Sequence, residues 1–170
     1  MSVAINPAES PIYGALFGTD AMRAVWDERA QLAHMLRFEA ALARVEGRLG
    51  VIPASDAEEI ERAARPEILD PAELATSVRA VGYPVVGVVK ALTRAAGPAG
   101  RSVHWGATTQ DVVDTALVLQ MRDGLALVRA DLIAAARALA ALGPRGQGAL
   151  RGAHDADPRV DAALREAGGR

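Results

Sequence analysis

The chain has 170 residues, is 51% hydrophobic and carries a net charge of −2, enough apolar material for a packed core and no basic footprint for nucleic acid. Aromatic residues make up only 4%, which removes the stacking platforms that single-stranded nucleic acid needs. Cysteine is absent, which excludes disulfides, thiolate metal sites and a cysteine nucleophile.

Residues 1–10 show no basic stretch followed by an apolar run, so no signal peptide is read there. Apolar stretches such as 85–89 are too short to cross a bilayer. The expectation is a cytoplasmic protein with neither a membrane nor a nucleic acid as partner.

Alanine, leucine, arginine and glutamate dominate, the residues that lose least on entering a helix. No alternating β-branched run and no hairpin turn signal is present, so the fold class is all-α. Asp27 is placed as the N-cap of a helix over 27–49 that Gly50 ends. Its apolar face reads Leu32, Met35, Leu36, Leu42, Val45 and Leu49. Pro53 forces an extended connector, and Ser55 with Glu58 predicts a capping box for a short helix to about Ala64. Asp70, Pro71 and Glu73 repeat that pattern for a helix ending near Gly82. Pro84 opens a helix to about Ala95, which Gly97 and Pro98 close.

After a loop over 100–107, residues 110–142 contain no proline and one glycine, Gly124. Val113, Ala116, Leu117, Leu125, Val128, Leu132, Ala136 and Leu139 keep a helical stripe. Such a helix is roughly 45–50 Å long at 1.5 Å per residue, more than the ~30–35 Å diameter of a compact domain this size. It needs a long bundle to cover its stripe, and this chain offers too few partners. Residues 143–170 mix glycine, arginine, aspartate and alanine without a stripe and read as a patternless tail. The division is therefore 1–107, a helical domain; 108–142, one long helix; and 143–170, the tail.

The polar cluster with chemical potential is Val103-His104-Trp105-Gly106-Ala107-Thr108-Thr109-Gln110-Asp111, just ahead of the long helix. A helix amino terminus offers unpaired N–H groups and a positive dipole end, suited to a carboxylate or phosphate. Thr108 and Thr109 add hydroxyls, Gln110 an amide, and Gly106 allows close approach of the backbone. The plainer alternative is a structural capping box between Thr108 and Asp111, with His104 a satisfied loop histidine. His34 reads as a surface or interface residue on the first long helix, and His154 carries no assignment. Three scattered histidines without paired carboxylates make no metal site. No phosphate-binding glycine loop or nucleophile elbow occurs.

The string Val103–Ala116 resembles the first signature block of the fumarase/aspartase superfamily, in the form carried by bacterial 3-carboxy-cis,cis-muconate cycloisomerases and adenylosuccinate-lyase-like proteins. The segments 21–26, 35–44 and 50–53 support it in the same order, so the resemblance covers about 15–142. It implies an amino-terminal helical domain followed by the start of a long central helix bundle in a homotetramer. It also implies addition or elimination beside a carboxylate of a small polycarboxylate substrate, through an aci-carboxylate intermediate, with no metal or organic cofactor. The substrate-binding role passes to Thr108, Thr109 and Gln110, with His104 as a neighbour and Asp111 as helix-cap support. The family's two further blocks, which carry the acid–base residue and the loop serine, are not found in these 170 residues. No catalytic residue is therefore assigned, and a frameshift or truncation near Gly143 is expected, with little activity from this polypeptide alone. Where adenylosuccinate lyases carry Arg-His-Asp-Val, this chain has Gly82-Tyr83-Pro84-Val85. That favours a small polycarboxylate over a nucleotide, and predicts that Tyr83 lines the pocket. The reaction the resemblance implies is lactone-forming addition of a carboxylate to a double bond, with a fumarate-releasing β-elimination of the adenylosuccinate lyase type and a non-catalytic helical oligomerisation module as the alternatives.

Overall fold

A computed structural model describes residues 7–10 and 12–154, with backbone alone at Glu9 and 143–154. The chain forms two compact units, Met1–Leu127 and Val128–Arg170. All regular secondary structure among the described residues is helical, without a strand.

In the first unit, two 3₁₀ turns (Pro7–Glu9 and Gly14–Leu16) precede a short helix, α1 (Asp20–Val25), which Thr19 caps by accepting from Met22 N–H. Helix α2 (Glu28–Leu49) begins where Asp27 accepts the Ala30 N–H at 2.6 Å. It stops at Gly50, whose φ of 71° closes a Schellman turn: Val51 N–H returns to Glu46 and Gly50 N–H to Gly47. Both ends match the sequence reading, because each depends on a local signal.

Helix α3 (Ala54–Ala63) departs from that reading. Pro53, at φ −58°, starts the helix with no side-chain cap bond, so Ser55 and Glu58 are exposed and form no capping box. The acid of its first turn that matters is Asp56, which is buried. Helix α4 (Pro71–Val81) is capped by Asp70 as expected, but Glu73 pairs with Arg94 of the next helix instead of folding back. Helix α5 (Val85–Ala95) follows Pro84, and a six-residue 3₁₀ segment, Gly97–Ser102, runs into the start of the expected loop. Gly100 is required there: a Cβ would lie 2.3 Å from the Thr93 carbonyl oxygen.

The core gathers Met35, Leu36, Ala43, Ile52, Ala57, Ile60, Leu74, Val85, Val88, Leu92, Val112 and Ala116. Each of the larger aliphatic side chains stabilises the fold by about 1.5–3 kcal/mol through burial. Helix α2 turns inward a face that includes Glu39 and Ala43, while Val45 and Leu49 stay exposed.

Helix α6 (Thr109–His154) supplies the remaining wall through its first part. Its buried positions are Val112, Ala116, Gln120 and Gly124, spaced four apart and mostly small. Small side chains let α1 and α2 come close: Gln120 donates to the Val25 carbonyl at 2.9 Å, and His34 Nε2 lies 3.3 Å from Asp123. The larger apolar residues Leu117, Val118, Met121 and Leu125 lie exposed.

In the second unit, Val128, Leu132, Leu139 and Leu142 are likewise exposed. The helix continues past Leu142, where the stripe had suggested an end, through Pro144 to His154. Extension of an existing helix costs far less than starting one, so alanine, leucine, arginine and glutamine carry it onward among the glycines. Residues 155–170, including most of the expected tail, lie outside the described residues.

Candidate functional site

The segment ahead of α6 is fixed at its base by Asp56. The Asp56 carboxylate accepts the Ser102 hydroxyl at 2.8 Å and Arg101 Nε at 3.3 Å. This ties the 3₁₀ segment to the first turn of α3. The chain then turns sharply: His104 sits at φ 60° and Gly106 at φ 70°. A left-handed backbone is ordinary for glycine but strained for histidine.

The reason for that strain lies on α2. His104 Nδ1 is 2.7 Å from Glu39 Oε1, and the Glu39 side chain is only 1% exposed. Burial pushes the Glu39 carboxyl above its ordinary range, the His104 pairing opposes this, and nearby Glu46 reinforces the rise. Burial also raises Glu46, whose Oε2 has no hydrogen-bond partner among the described residues.

The start of α6 is closed by a reciprocal cap. Asp111 Oδ2 accepts Thr108 N–H at 2.8 Å and the Thr108 hydroxyl at 2.7 Å. Asp111 N–H reaches back to Thr108 Oγ1 at 3.4 Å. The hydrogen bonds from the Thr108 side chain and backbone hold the Asp111 carboxyl below its usual range, and the His104 charge adds to this. The first amides of the helix, Thr109 and Gln110, donate to no backbone carbonyl outside the helices among the described residues. Gln110 Nε2 is turned along the helix to Asp114 Oδ1 at 2.6 Å.

His104, Thr108, Thr109 and Gln110 lie in one short segment of the chain. Tyr83 lies in the turn between α4 and α5, exposed and without a hydrogen bond to that segment. No group of three or more potential metal ligands occurs among the described residues. The sequence reading assigned Glu39 and Asp56 no role. The available signal was Glu39 itself, a carboxylate seven positions after Leu32 on the apolar face of α2.

The arrangement can bind an anion at the helix amino terminus through free amides and the positive dipole end. It also presents an imidazole backed by a buried carboxylate.

No family model matches the chain. Among curated relatives, the 3-carboxy-cis,cis-muconate cycloisomerase of Pseudomonas aeruginosa is 49% identical over 133 residues, covering 76% of this chain and 29% of the relative. The N-acetyl-S-(2-succino)cysteine lyase of Enterococcus italicus is 43% identical, covering 68% and 25%. Among solved structures, a fumarate lyase from Mesorhizobium superposes with a TM-score of 0.71 at 42% identity, covering 76% of this chain and 30% of that one. The 3-carboxy-cis,cis-muconate lactonizing enzyme of Pseudomonas putida gives 0.68 at 43%, covering 72% and 29%. The chain therefore spans about 30% of the length of such relatives. Shared helical architecture and identity above 40% in both comparisons establish that the chain belongs to the fumarase/aspartase superfamily.

Proposed function

We propose that this chain contributes the carboxylate-recognising part of a cytoplasmic 3-carboxy-cis,cis-muconate cycloisomerase-like enzyme of aromatic-acid degradation. In that reaction a substrate carboxylate oxygen adds to a carbon–carbon double bond, closing a lactone, and a proton reaches the adjacent carbon through an aci-carboxylate intermediate. The observation that carries the reading is the capped start of α6, where Thr108 and Asp111 leave the Thr109 and Gln110 amides available beside His104. A second substrate carboxylate held there is stabilised as negative charge builds on it in the intermediate. No group in this segment is assigned the proton transfer. The reaction needs acid–base residues from further chain, so these 170 residues alone are inactive.

The decisive assay grafts residues 1–142 in place of the matching segment of the P. aeruginosa cycloisomerase and follows loss of 3-carboxy-cis,cis-muconate. Lactone formation by the hybrid, lost on Thr108→Ala with Gln110→Ala, supports the reading. Fumarate release from N-acetyl-S-(2-succino)cysteine, with no lactone formed, favours the β-elimination that the 43% identical lyase suggests. A hybrid that folds and does neither overturns the enzymatic reading.

A homotetramer is part of this proposal. Its support is the exposed set Val118, Met121 and Leu125 in the first unit and Val128, Leu132, Leu139 and Leu142 in the second. These follow a three-and-four spacing that suits packing between helices. Light scattering that finds a monomer overturns the tetramer.

A further inference from the structure

Glu39 and His104 are both placed at a cost. A carboxylate with 1% side-chain exposure loses its hydration and gains a single hydrogen-bonding side chain among the described residues in exchange. A histidine at φ 60° occupies backbone space suited to glycine. For packing and turning alone, leucine at 39 and glycine at 104 would serve the fold better. Both costs converge on a single 2.7 Å contact between Glu39 Oε1 and His104 Nδ1. Strain concentrated in this way marks a group held for use. The imidazole is 19% exposed, so its far edge still reaches solvent. The charged groups near the pair are Glu46, further along α2 and acting on Glu39, and Asp111 on α6, which senses His104.

We propose that Glu39 is a positioning residue: its carboxylate captures His104 through Nδ1–H, leaving Nε2 as the one imidazole nitrogen that exchanges a proton or meets a bound carboxylate. A buried acceptor on one nitrogen fixes the tautomer and the ring plane together. When the ring is protonated, Nδ1–H still points to Glu39 and Nε2–H is a donor for an anionic ligand. When the ring is neutral, Nε2 carries the lone pair. The ligand in this statement rests on the function proposed above; the tautomer does not.

The test uses the chain labelled with ¹⁵N-histidine, with His34 and His154 assigned by His34→Gln and His154→Gln. Across a pH series, the His104 Nδ1 shift is expected to stay at the protonated position while Nε2 alone moves. In Glu39→Gln the amide accepts or donates equally well, so both nitrogens move and the neutral form becomes a tautomer mixture. Glu39→Asp restores the wild-type pattern in part, which a purely structural role for Glu39 would not predict. A neutral wild-type ring carrying its proton on Nε2 overturns the proposal, and this reading stands whether or not the variants fold. An unchanged pattern in folded Glu39→Gln overturns it equally. Added tricarballylate, a small tricarboxylate probe, should shift Nε2 and leave Nδ1 in place; a ligand-induced move of Nδ1 refutes the assignment. Absence of any shift counts against the carboxylate-binding function alone, while the pH series still decides the role of Glu39.

Discussion

Replacing Asp56 and Ser102 tests whether the segment leading to His104 is held from below. The Ser102 hydroxyl donates to Asp56 Oδ2 at 2.8 Å, and both residues are buried. A hydrogen bond to a charged acceptor contributes roughly 1.5–3 kcal/mol, and a buried hydroxyl left unpaired costs about 1–3 kcal/mol. Asp56 also lies in the first turn of α3, where an acid adds roughly 0.3–1 kcal/mol. Arg101 is mostly exposed, so its ion pair adds only about 0–1 kcal/mol. Asp56→Ala should therefore destabilise by about 2–4 kcal/mol, which lowers Tm by roughly 4–16 °C in a chain of this size. Ser102→Ala should cost less, about 1–2 kcal/mol, because Arg101 still neutralises the carboxylate. Urea unfolding of both single variants and the double variant, followed by far-ultraviolet circular dichroism, closes the cycle. A coupling of about 1–2 kcal/mol is expected for directly bonded partners. Amide exchange over 103–106 should quicken in both single variants. A coupling below about 0.3 kcal/mol would refute the tether.

Two glycines give opposite outcomes. Gly100→Ala brings a Cβ to 2.3 Å from the Thr93 carbonyl and should destabilise by at least ~2–3 kcal/mol. At Gly124 the nearest contact is 3.4 Å, so alanine should be neutral or add up to ~1 kcal/mol of helix propensity; chemical unfolding ranks the pair. At Glu46, burial raises the folded carboxyl above 4.5, so the folded state binds this proton more tightly than the unfolded one. Its contribution is full below about pH 4.5 and falls as pH rises through the folded value. Glu46→Gln should flatten that decline in a series of urea midpoints. Asp111 has the opposite sign: its folded value lies below 3.8, so its contribution is present above that pH and disappears on further acidification. Leu132→Glu with Leu139→Glu should dissociate the proposed oligomer with helicity retained, as read by light scattering and circular dichroism.

The helix boundaries legible in the sequence are those written by one residue acting on its own backbone. Asp27, Gly50, Asp70 and Gly82 all stand where the reading placed them, because capping and left-handed turns depend on chemistry within a few residues. Ser55 and Glu58 failed because the helix already starts after Pro53, two residues before Ser55. The inward face of α6 was harder to read. A stripe of leucine and valine is the expected buried face of a helix, yet Ala116, Gln120 and Gly124 face the core and Leu117 and Leu125 do not. Hydrophobic periodicity marks a face that wants covering, but it does not say whether the cover comes from the same chain.

The site divides along the same line between local and distant causes. The cap between Thr108 and Asp111 spans three residues, and its spacing revealed it. The link between Glu39 and His104 spans 65 residues, and no window of sequence contains both ends. What the sequence did contain was an anomaly at each end: an acid on an apolar helix face, and a histidine two residues before a glycine in a tight turn. Each has an ordinary explanation when taken alone, as a solvated edge residue or a structural loop histidine. The fold makes those explanations untenable together, since the acid is buried and the histidine is strained. Two unfavourable placements that satisfy each other are better explained by a shared function than by two separate accidents of packing.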